Sequence, residues 1–348
     1  MGINLKVINP ANDTRWDEFV DLHPDGSIYH HSAWRQVLLS TYAYDPFYVA
    51  LENSATGRLE GILPFMLVKS RITGKRVVSL PFTSYCPMLV PGPRLEEIIH
   101  FILGECPGID YLELKLPENL ENAPAILKKQ PGYMTHILDL QAGPEQLFKS
   151  FHNTSIRQRI KRAEKSQIQL RMVEKEEDLN EFYDLHIDVR KKHGLPPHPY
   201  AFFAQMWSIL RPKNFLLVPL LEYQGKTIAG AVVIRYKDTF YYEYSASDQT
   251  KLAISPNQLL IWEVIKIACS EGAKFFDFGR TSSTNETLIE FKSRWGADRR
   301  DLMYYYYPKA NGIDTESGLG RQLLGFVNRL LPNSLLRLEG EILYRHLG

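Results

Sequence analysis

Residues 47–70, FYVALENSATGRLEGILPFMLVKS, alternate between two apolar-rich stretches and a polar, glycine-containing break. Short runs rich in β-branched and aromatic residues and bounded by turn residues predict strands, so this segment predicts a hairpin turning around Gly57. The pattern returns at residues 215–246, FLLVPLLEYQGKTIAGAVVIRYKDTFYYEYSA, which turn around Gly225 and add a third strand. Each unit sets a glycine, Gly61 or Gly230, early in its second strand. After each hairpin the apolar period lengthens to that of a helix, over residues 95–106 and 257–270. It then contracts to a short apolar strand, YLELK at 111–115 and FFDFG at 275–279. The repeated order of hairpin, helix and strand predicts an α/β (α+β) chain of two similar domains, each a mixed β-sheet covered by helices.

The junction falls in residues 138–166, where Gly143-Pro144 breaks one element and Asn153-Thr154-Ser155 supplies side-chain oxygens to cap the next helix. The expected domains are 1–140 and 141–310, followed by an amphipathic helical tail over 311–348. From about Gly318 the tail carries Leu323, Leu324, Phe326, Val327, Leu330 and Leu331 on helical spacing, with Arg321 and Arg329 outside them. After Pro332 the stripe resumes through Leu335, Leu336, Ile342 and Leu343, with Arg337 and Arg345, while Glu339 and Glu341 dilute the basic side. Packing across the domains is the simpler account of these helices, and a place in a membrane interface near lipid-linked substrates is the other.

Composition narrows the function classes. The 348 residues carry 41 basic and 40 acidic side chains, a net charge of +1, so no overall field favours DNA or a membrane, and any electrostatic partner must be met by a local patch. Cys86, Cys106 and Cys269 are few, odd in number and widely spaced. They predict a reducing, cytoplasmic setting with neither a disulfide framework nor a CxxC metal site. No basic segment followed by an apolar run opens the chain, and nowhere do about 18 apolar residues run together, so neither a cleaved signal nor a membrane span is expected. HExxH, EF-hand, Walker A and GxSxG patterns are all missing, leaving metal hydrolysis, nucleotide hydrolysis and serine-hydrolase chemistry without an anchor, and no metal ligand set is expected.

Candidate chemistry gathers in residues 276–298, FDFGRTSSTNETLIEFKSRWGAD, where an apolar strand opens into a polar loop and delivers Lys292 between Phe291 and a Trp295-Gly296 turn. On the residues alone, a surface lysine laying its stem along a buried aromatic is the simpler explanation of Lys292. Arg280 directly follows the strand end, a place from which a guanidinium can fork a phosphate or carboxylate, or else pair with Asp277 or another acid. Asp277 alternates with Phe276 and Phe278 and so faces away from them. In YYEYSASD, residues 241–248, Glu243 is a candidate base and Tyr244 a candidate hydrogen-bond donor. Strict alternation places Tyr242 and Tyr244 on one face and Tyr241, Glu243 and Ser245 on the other. The run Tyr304 to Tyr307 predicts a strand buried on both sides. Arg157, Arg159, Lys161, Arg162 and Lys165 crowd one short helix whose apolar side is Ile156, Ile160 and Ala163. A solvated face is one account of this cluster, and contact with the phosphates of a nucleotide-linked precursor or the acceptor arm of tRNA is the other. His193 and His198, in the proline-rich stretch at 191–203, stand as loop residues or as contacts.

RQRIKRAEKS, SPNQLLIWEVIKIACSEGAKFFDFGR and FKSRWGAD, in this order, resemble the FemAB/FemX-like members of the GNAT superfamily, the tandem-GNAT transferases that add amino acids to peptidoglycan precursors, and their relatives in exopolysaccharide operons. HHSAWRQVL at 30–38, LEGILPFMLV at 59–68 and VVSLPFTSYCPML at 77–89 are similar to the first half of the same proteins, so the resemblance spans about residues 27–308. It implies two GNAT-type domains and an enzyme that forms an amide on an amine of a cell-envelope precursor, peptidoglycan or exopolysaccharide. It further implies that Lys292 neutralises developing charge while Phe291 shapes the channel. Tyr244 and Glu243 are expected beside Lys292 as catalytic residues, and Arg280, Asp277, Arg157, Lys161, Lys251, Tyr85 and Trp34 are expected, with Phe291, to bind the substrate.

Two departures from the family pattern bear on donor and acceptor. Residues 248–260, DQTKLAISPNQLL, lack the glycine-rich loop with which acyl-CoA-dependent relatives cradle pyrophosphate, although Ser255-Pro256 is a good helix start and Lys251 lies beside it. The donor is therefore expected to be aminoacyl-tRNA or acyl-CoA, with no tightly held cofactor. The long helical arm of some Fem proteins is missing, which shifts the expected acceptor toward an amino sugar of another envelope polysaccharide. An acyl-CoA-dependent N-acetyltransferase on an amino sugar and a non-catalytic precursor-binding module are the alternatives.

Overall fold

The computed structural model describes every residue except 1, 91–93, 118, 122 and 309–318, and describes 319–323 by backbone alone. The chain forms two compact units, Met1–Tyr133 with Asp301–Ile313 and Leu343–Gly348, and Met134–Arg300 with Asp314–Ile342. The division at Tyr133 differs from the expected one near residue 140. The stretch after Arg300 returns to the first unit because its residues Met303 to Tyr307 pair with Leu116 to Leu112. Consecutive blocks of sequence therefore do not map onto the units.

In the first unit β1 (Ile3–Ile8) leads to α1 (Arg15–Leu22), α2 (Ser32–Tyr42), β2 (Asp45–Asn53), β3 (Leu59–Ser70), β4 (Gly74–Val78), α3 (Leu95–Glu105) and β5 (Tyr111–Leu116). β2 and β3 make the expected antiparallel hairpin, Phe47 opposite Phe65. Gly57, at φ 70°, supplies the left-handed residue of its turn. β4 and β5 run parallel on either side of α3. Val49, Phe65, Val77 and Leu112 of the sheet pack on Ile98, Ile99 and Ile102 of α3.

Strand β6 (Lys128–Asp139) leads into the second unit. There follow α4 (Gly143–Ser150), α5 (Gln158–Glu164), β7 (Gln169–Met172), α6 (Leu179–Lys192), α7 (Tyr200–Leu210), β8 (Leu216–Leu217), β9 (Pro219–Tyr223), β10 (Lys226–Tyr236) and β11 (Thr239–Ser247). Then come α8 (Pro256–Ser270), β12 (Phe275–Asp277), β13 (Thr281–Ser282), α9 (Glu286–Ser293), β14 (Asp298–Tyr307), α10 (Leu319–Leu330) and α11 (Asn333–Leu347). The sheet of this unit runs β6-β12-β11-β10-β9-β7. β11 and β12 are parallel on either side of α8, as β4 and β5 are about α3, so the weak sequence repeat is a repeat of topology. Phe240, Tyr242 and Phe276 bury one face of this sheet against Ile261, Val264 and Ile265 of α8.

Two irregularities of β11 shape the site. β11 pairs with β12 only across Thr239–Tyr241 although it continues to Ser247, so the strands part beyond Tyr241. Its register against β10 slips between Val233, opposite Tyr242, and Val232, opposite Tyr244, which leaves Glu243 as the extra residue of a bulge. A bulge resets alternation. Tyr242 packs on Phe276, whereas Tyr244 meets His186 and His198, and the expected shared face of Tyr242 and Tyr244 is corrected accordingly.

The start of α5 also differs from expectation. Residues Asn153–Arg157 form a wide π-helical turn capped by His152, whose ring accepts from the Ser155 amide at 3.3 Å, in place of a cap from Asn153-Thr154-Ser155. Ile156, Ile160 and Ala163 are buried while Arg159, Lys161, Arg162 and Lys165 are exposed. In β14, Tyr304 and Tyr305 are buried and their hydroxyls donate to Ser84 O at 2.7 Å and Asn119 Oδ1 at 3.0 Å.

The tail packs by one side and exposes the other. Leu336 and Asn328 are fully buried, and Gly340 lies so close to Pro197 that a Cβ there would stand 2.2 Å from its carbonyl oxygen. Phe326, Leu330, Leu338 and Ile342 remain exposed. The expected tail start at Gly318 and the side chains of Arg321 and Leu323 lie outside the described residues. Among the described residues no helix is long and apolar enough to cross a membrane.

Candidate active site

Lys292 occupies the last turn of α9, a helix started by Asn285, whose side chain accepts from the Leu288 amide at 3.1 Å. The far end of α9 is fixed by Trp295, fully buried with its ring against Phe151, Phe278 and Phe291. Between these anchors Lys292 is held inward with 6% of its surface exposed. Its Nζ donates to Gly279 O at 2.7 Å, with Arg280 O at 3.5 Å. Among the described residues no carboxylate lies within ion-pair distance of that nitrogen. Burial pushes the ammonium down to about 8, against the charges of Asp277 and Glu243, which pull upward.

Asp277 ends β12 and is 2% exposed. Opposite it on β6 stands Ile137, so Thr135, two residues along, shares its face as a diagonal neighbour. The Thr135 hydroxyl donates to Asp277 Oδ1 at 2.5 Å, and the same oxygen accepts from the Gly279 amide at 2.8 Å. Asp277 thus ties down the turn at Gly279, φ 71°, whose carbonyl in turn holds Lys292.

His136, next on β6, faces the other way and is fully buried, its Nε2 3.3 Å from Ser293 Oγ. Its Nδ1 has no hydrogen-bond partner among the described residues. Burial, reinforced by the Lys292 and Arg299 charges, lowers this imidazole to about 4, so it is neutral near pH 7. Thr135, His136 and Ser293 do not stand out among the candidates in the sequence. The available signal is the Thr-His pair, which with Asp139 interrupts the apolar residues of MTHILDL.

The remaining candidates distribute unevenly. Glu243, at the bulge, acts electrostatically on Lys292 and so joins it and Asp277 in one neighbourhood. Tyr244 instead sits in an aromatic cluster with His186, His198, Phe202 and Phe203. Burial lowers His186 to about 3 and His198 well below its usual value, so both rings are neutral, while His193 is exposed. Phe291 packs beside the core against Trp295. Arg280 is exposed and contributes its carbonyl to Lys292. Lys251 lies over the Tyr223 ring and Lys161 over the Phe148 ring, while Arg157 is half-buried with Nε unpartnered among the described residues. In the first unit Tyr85 is half-buried. Trp34 is fully buried edge-on to Tyr29, which makes it a packing residue and corrects its expected place on a substrate-lined surface. Among the described residues no group of three His, Cys, Asp or Glu is placed to hold a metal.

Residues 150–293, the segment from the last residue of α4 to the last residue of α9, match the family model described as acetyltransferase (GNAT) domain. A crystal structure of FemX superposes with a TM-score of 0.69 at 14% identity, covering 93% of this chain and 100% of that one. A tandem GNAT protein from the clavulanic acid biosynthesis pathway gives 0.57 at 13%, covering 89% and 100%. L-PGS from Bacillus licheniformis gives 0.53 at 14%, covering 81% and 90%. At these identities the likeness is one of fold. No curated protein sequence matches the chain.

Proposed function

We propose that this chain is a FemX-like tandem-GNAT acyltransferase that forms an amide on an amine of a cell-envelope precursor, using an aminoacyl or acyl donor, a reading supported by the GNAT domain match and by the likeness of fold to FemX and a tandem GNAT protein. The observation that carries the reading is Lys292, an ammonium kept buried beside the parted strands β11 and β12, with no carboxylate in ion-pair contact among the described residues. In the reaction the neutral amine attacks the donor carbonyl, its oxygen gains negative charge, the bond to the donor's oxygen or sulfur breaks, and the amine gives up a proton. An ammonium in a dry site stabilises the oxyanion and the departing atom far better than one in water. The carbonyls of Gly279 and Arg280 position Nζ for that task, and the open edge of β11 beyond Tyr241 offers backbone groups to a substrate amide.

The charged form of Lys292 is the one required, so its titration sets a falling alkaline limb. kcat/KM for the free enzyme is expected to fall as pH rises through about 8, the value to which burial lowers Lys292. In Lys292→Arg, whose guanidinium does not titrate, whatever activity remains is expected to lose that limb. A rate that climbs through the same pH range would make Lys292 a base and overturn the assignment.

For the donor, the missing glycine-rich loop at 248–260 favours aminoacyl-tRNA. Acyl-CoA is the second reading, favoured by the start of α8 nine residues beyond the end of β11, at Pro256. Titration with acetyl-CoA, and separately with charged and uncharged tRNA, distinguishes them: saturable CoA binding selects the second reading, and preference for charged tRNA the first. The acceptor is an amine of a peptidoglycan or exopolysaccharide precursor, met at the inner face of the membrane. The exposed apolar side of α10 and α11 supports peripheral contact there. The protein is expected to float with phosphatidylglycerol vesicles and Leu330→Asp to stay behind; equal behaviour of the two would remove the membrane contact.

A further inference from the structure

Alternation puts His136 on the same side of β6 as Leu138 and Leu140, which join the core that holds Phe276, Phe278 and Trp295. The backbone of His136 continues the pairing with β12, its carbonyl accepting from the Phe278 amide at 2.9 Å. A leucine would suit that place. A fully buried imidazole whose Nδ1 has no partner among the described residues is a poor core residue, because a buried polar atom without a bond keeps the full cost of its desolvation. Its other nitrogen reaches out of the core: Nε2 lies 3.3 Å from the hydroxyl of Ser293, an exposed residue.

Ser293 is the last residue of α9, directly after Lys292. Helix ends fray, since their last carbonyls have no partner within the helix, yet residues 292 to 295 are each tied to a different part of the unit. Lys292 Nζ donates to Gly279 O at 2.7 Å, Ser293 Oγ meets His136 on β6, Arg294 O accepts from the His152 amide at 2.9 Å, and the Trp295 ring is packed against Phe151 and Phe278. We propose that His136 is a positioning residue which, through Ser293, holds the last turn of α9 so that Lys292 Nζ stays at the carbonyls of Gly279 and Arg280. Its effect on turnover rests on the reading of Lys292 proposed above, whereas the tie stands on the hydrogen bonds alone. Burial keeps the ring uncharged near pH 7, so it fastens the helix without setting a second cation beside Lys292.

The tie can be read without a substrate, by trace acetylation of the full chain with acetic anhydride and mass spectrometry of the peptide carrying Lys292, normalised to the exposed Lys165. Labelling of Lys292 is expected to rise about three- to tenfold in Ser293→Ala and in His136→Leu, the change that loss of one net hydrogen bond allows, with the double variant no faster than the faster single one. His136→Gln, whose amide can still bond Ser293, is expected to return the rate toward the wild type. His136→Leu is expected to melt at or above the wild-type temperature, because water meets the Ser293 hydroxyl left behind; a histidine kept only for packing would melt lower when replaced. With the donor selected by the titrations above, kcat is expected to fall in Ser293→Ala and His136→Leu while KM holds. Faster labelling without that fall would leave the tie standing and remove Lys292 from catalysis. Unchanged labelling in Ser293→Ala, or additive rises in the double variant, overturns the positioning role, and Ser293→Ala decides alone should His136→Leu not fold.

Discussion

Lys292→Met is expected to lose at least about 100-fold in kcat while melting at or above the wild-type temperature at pH 7. The two effects share one origin. Burial has pushed the Lys292 ammonium from 10.5 to about 8, so at pH 7 the fold holds a charge it disfavours by about 3 kcal/mol relative to the unfolded chain. Because the folded value lies below the unfolded one, that cost is complete below pH 8 and fades as pH rises from about 8 toward 10.5. Met keeps the apolar stem and removes the charge. A gain of about 1–3 kcal/mol at pH 7 follows, and it should shrink in melts at pH 10. Full turnover in Lys292→Met would end the catalytic assignment. A large loss of stability would instead make Lys292 a structural residue whose bonds to Gly279 and Arg280 matter more than its charge.

The sequence exposed the parts of this arrangement that local chemistry determines. Alternation and Gly57 or Gly225 marked both hairpins, and the switch of period marked α3 and α8. The motif order singled out Lys292, and Asp277 was correctly faced away from Phe276 and Phe278. What stayed hidden depends on long-range pairing. β6 begins KKQPG, which a local reading takes as a turn, yet it runs as strand from Lys128 to Asp139, and the unit boundary lies within it. The bulge at Glu243 was equally invisible, because YYEYSASD alternates plausibly with or without an extra residue, and only pairing with Val232 and Val233 decides.

Asp277→Ala is expected to cost about 3 kcal/mol or more of stability and to impair catalysis as well. The carboxylate accepts from Thr135 Oγ1 and the Gly279 amide while 2% exposed, and hydrogen bonds to a charged group are each worth about 1.5–3 kcal/mol, with buried donors left orphaned when it goes. Thr135→Val, which removes one donor and keeps the carboxylate, should cost about 1 kcal/mol and serves as the milder comparison. The sharper readout comes from Asp277→Asn, which keeps the shape. Of the two acids that hold Lys292 up against desolvation, Asp277 is the stronger, so its neutralisation lets Lys292 fall further below about 8. The ammonium is then lost at lower pH, and the alkaline limb of kcat/KM moves toward neutrality. An unmoved limb in a folded Asp277→Asn would confine Asp277 to bracing the Gly279 turn. A shifted one would show that the same carboxylate sets the position of the lysine through Gly279 and its charge through space.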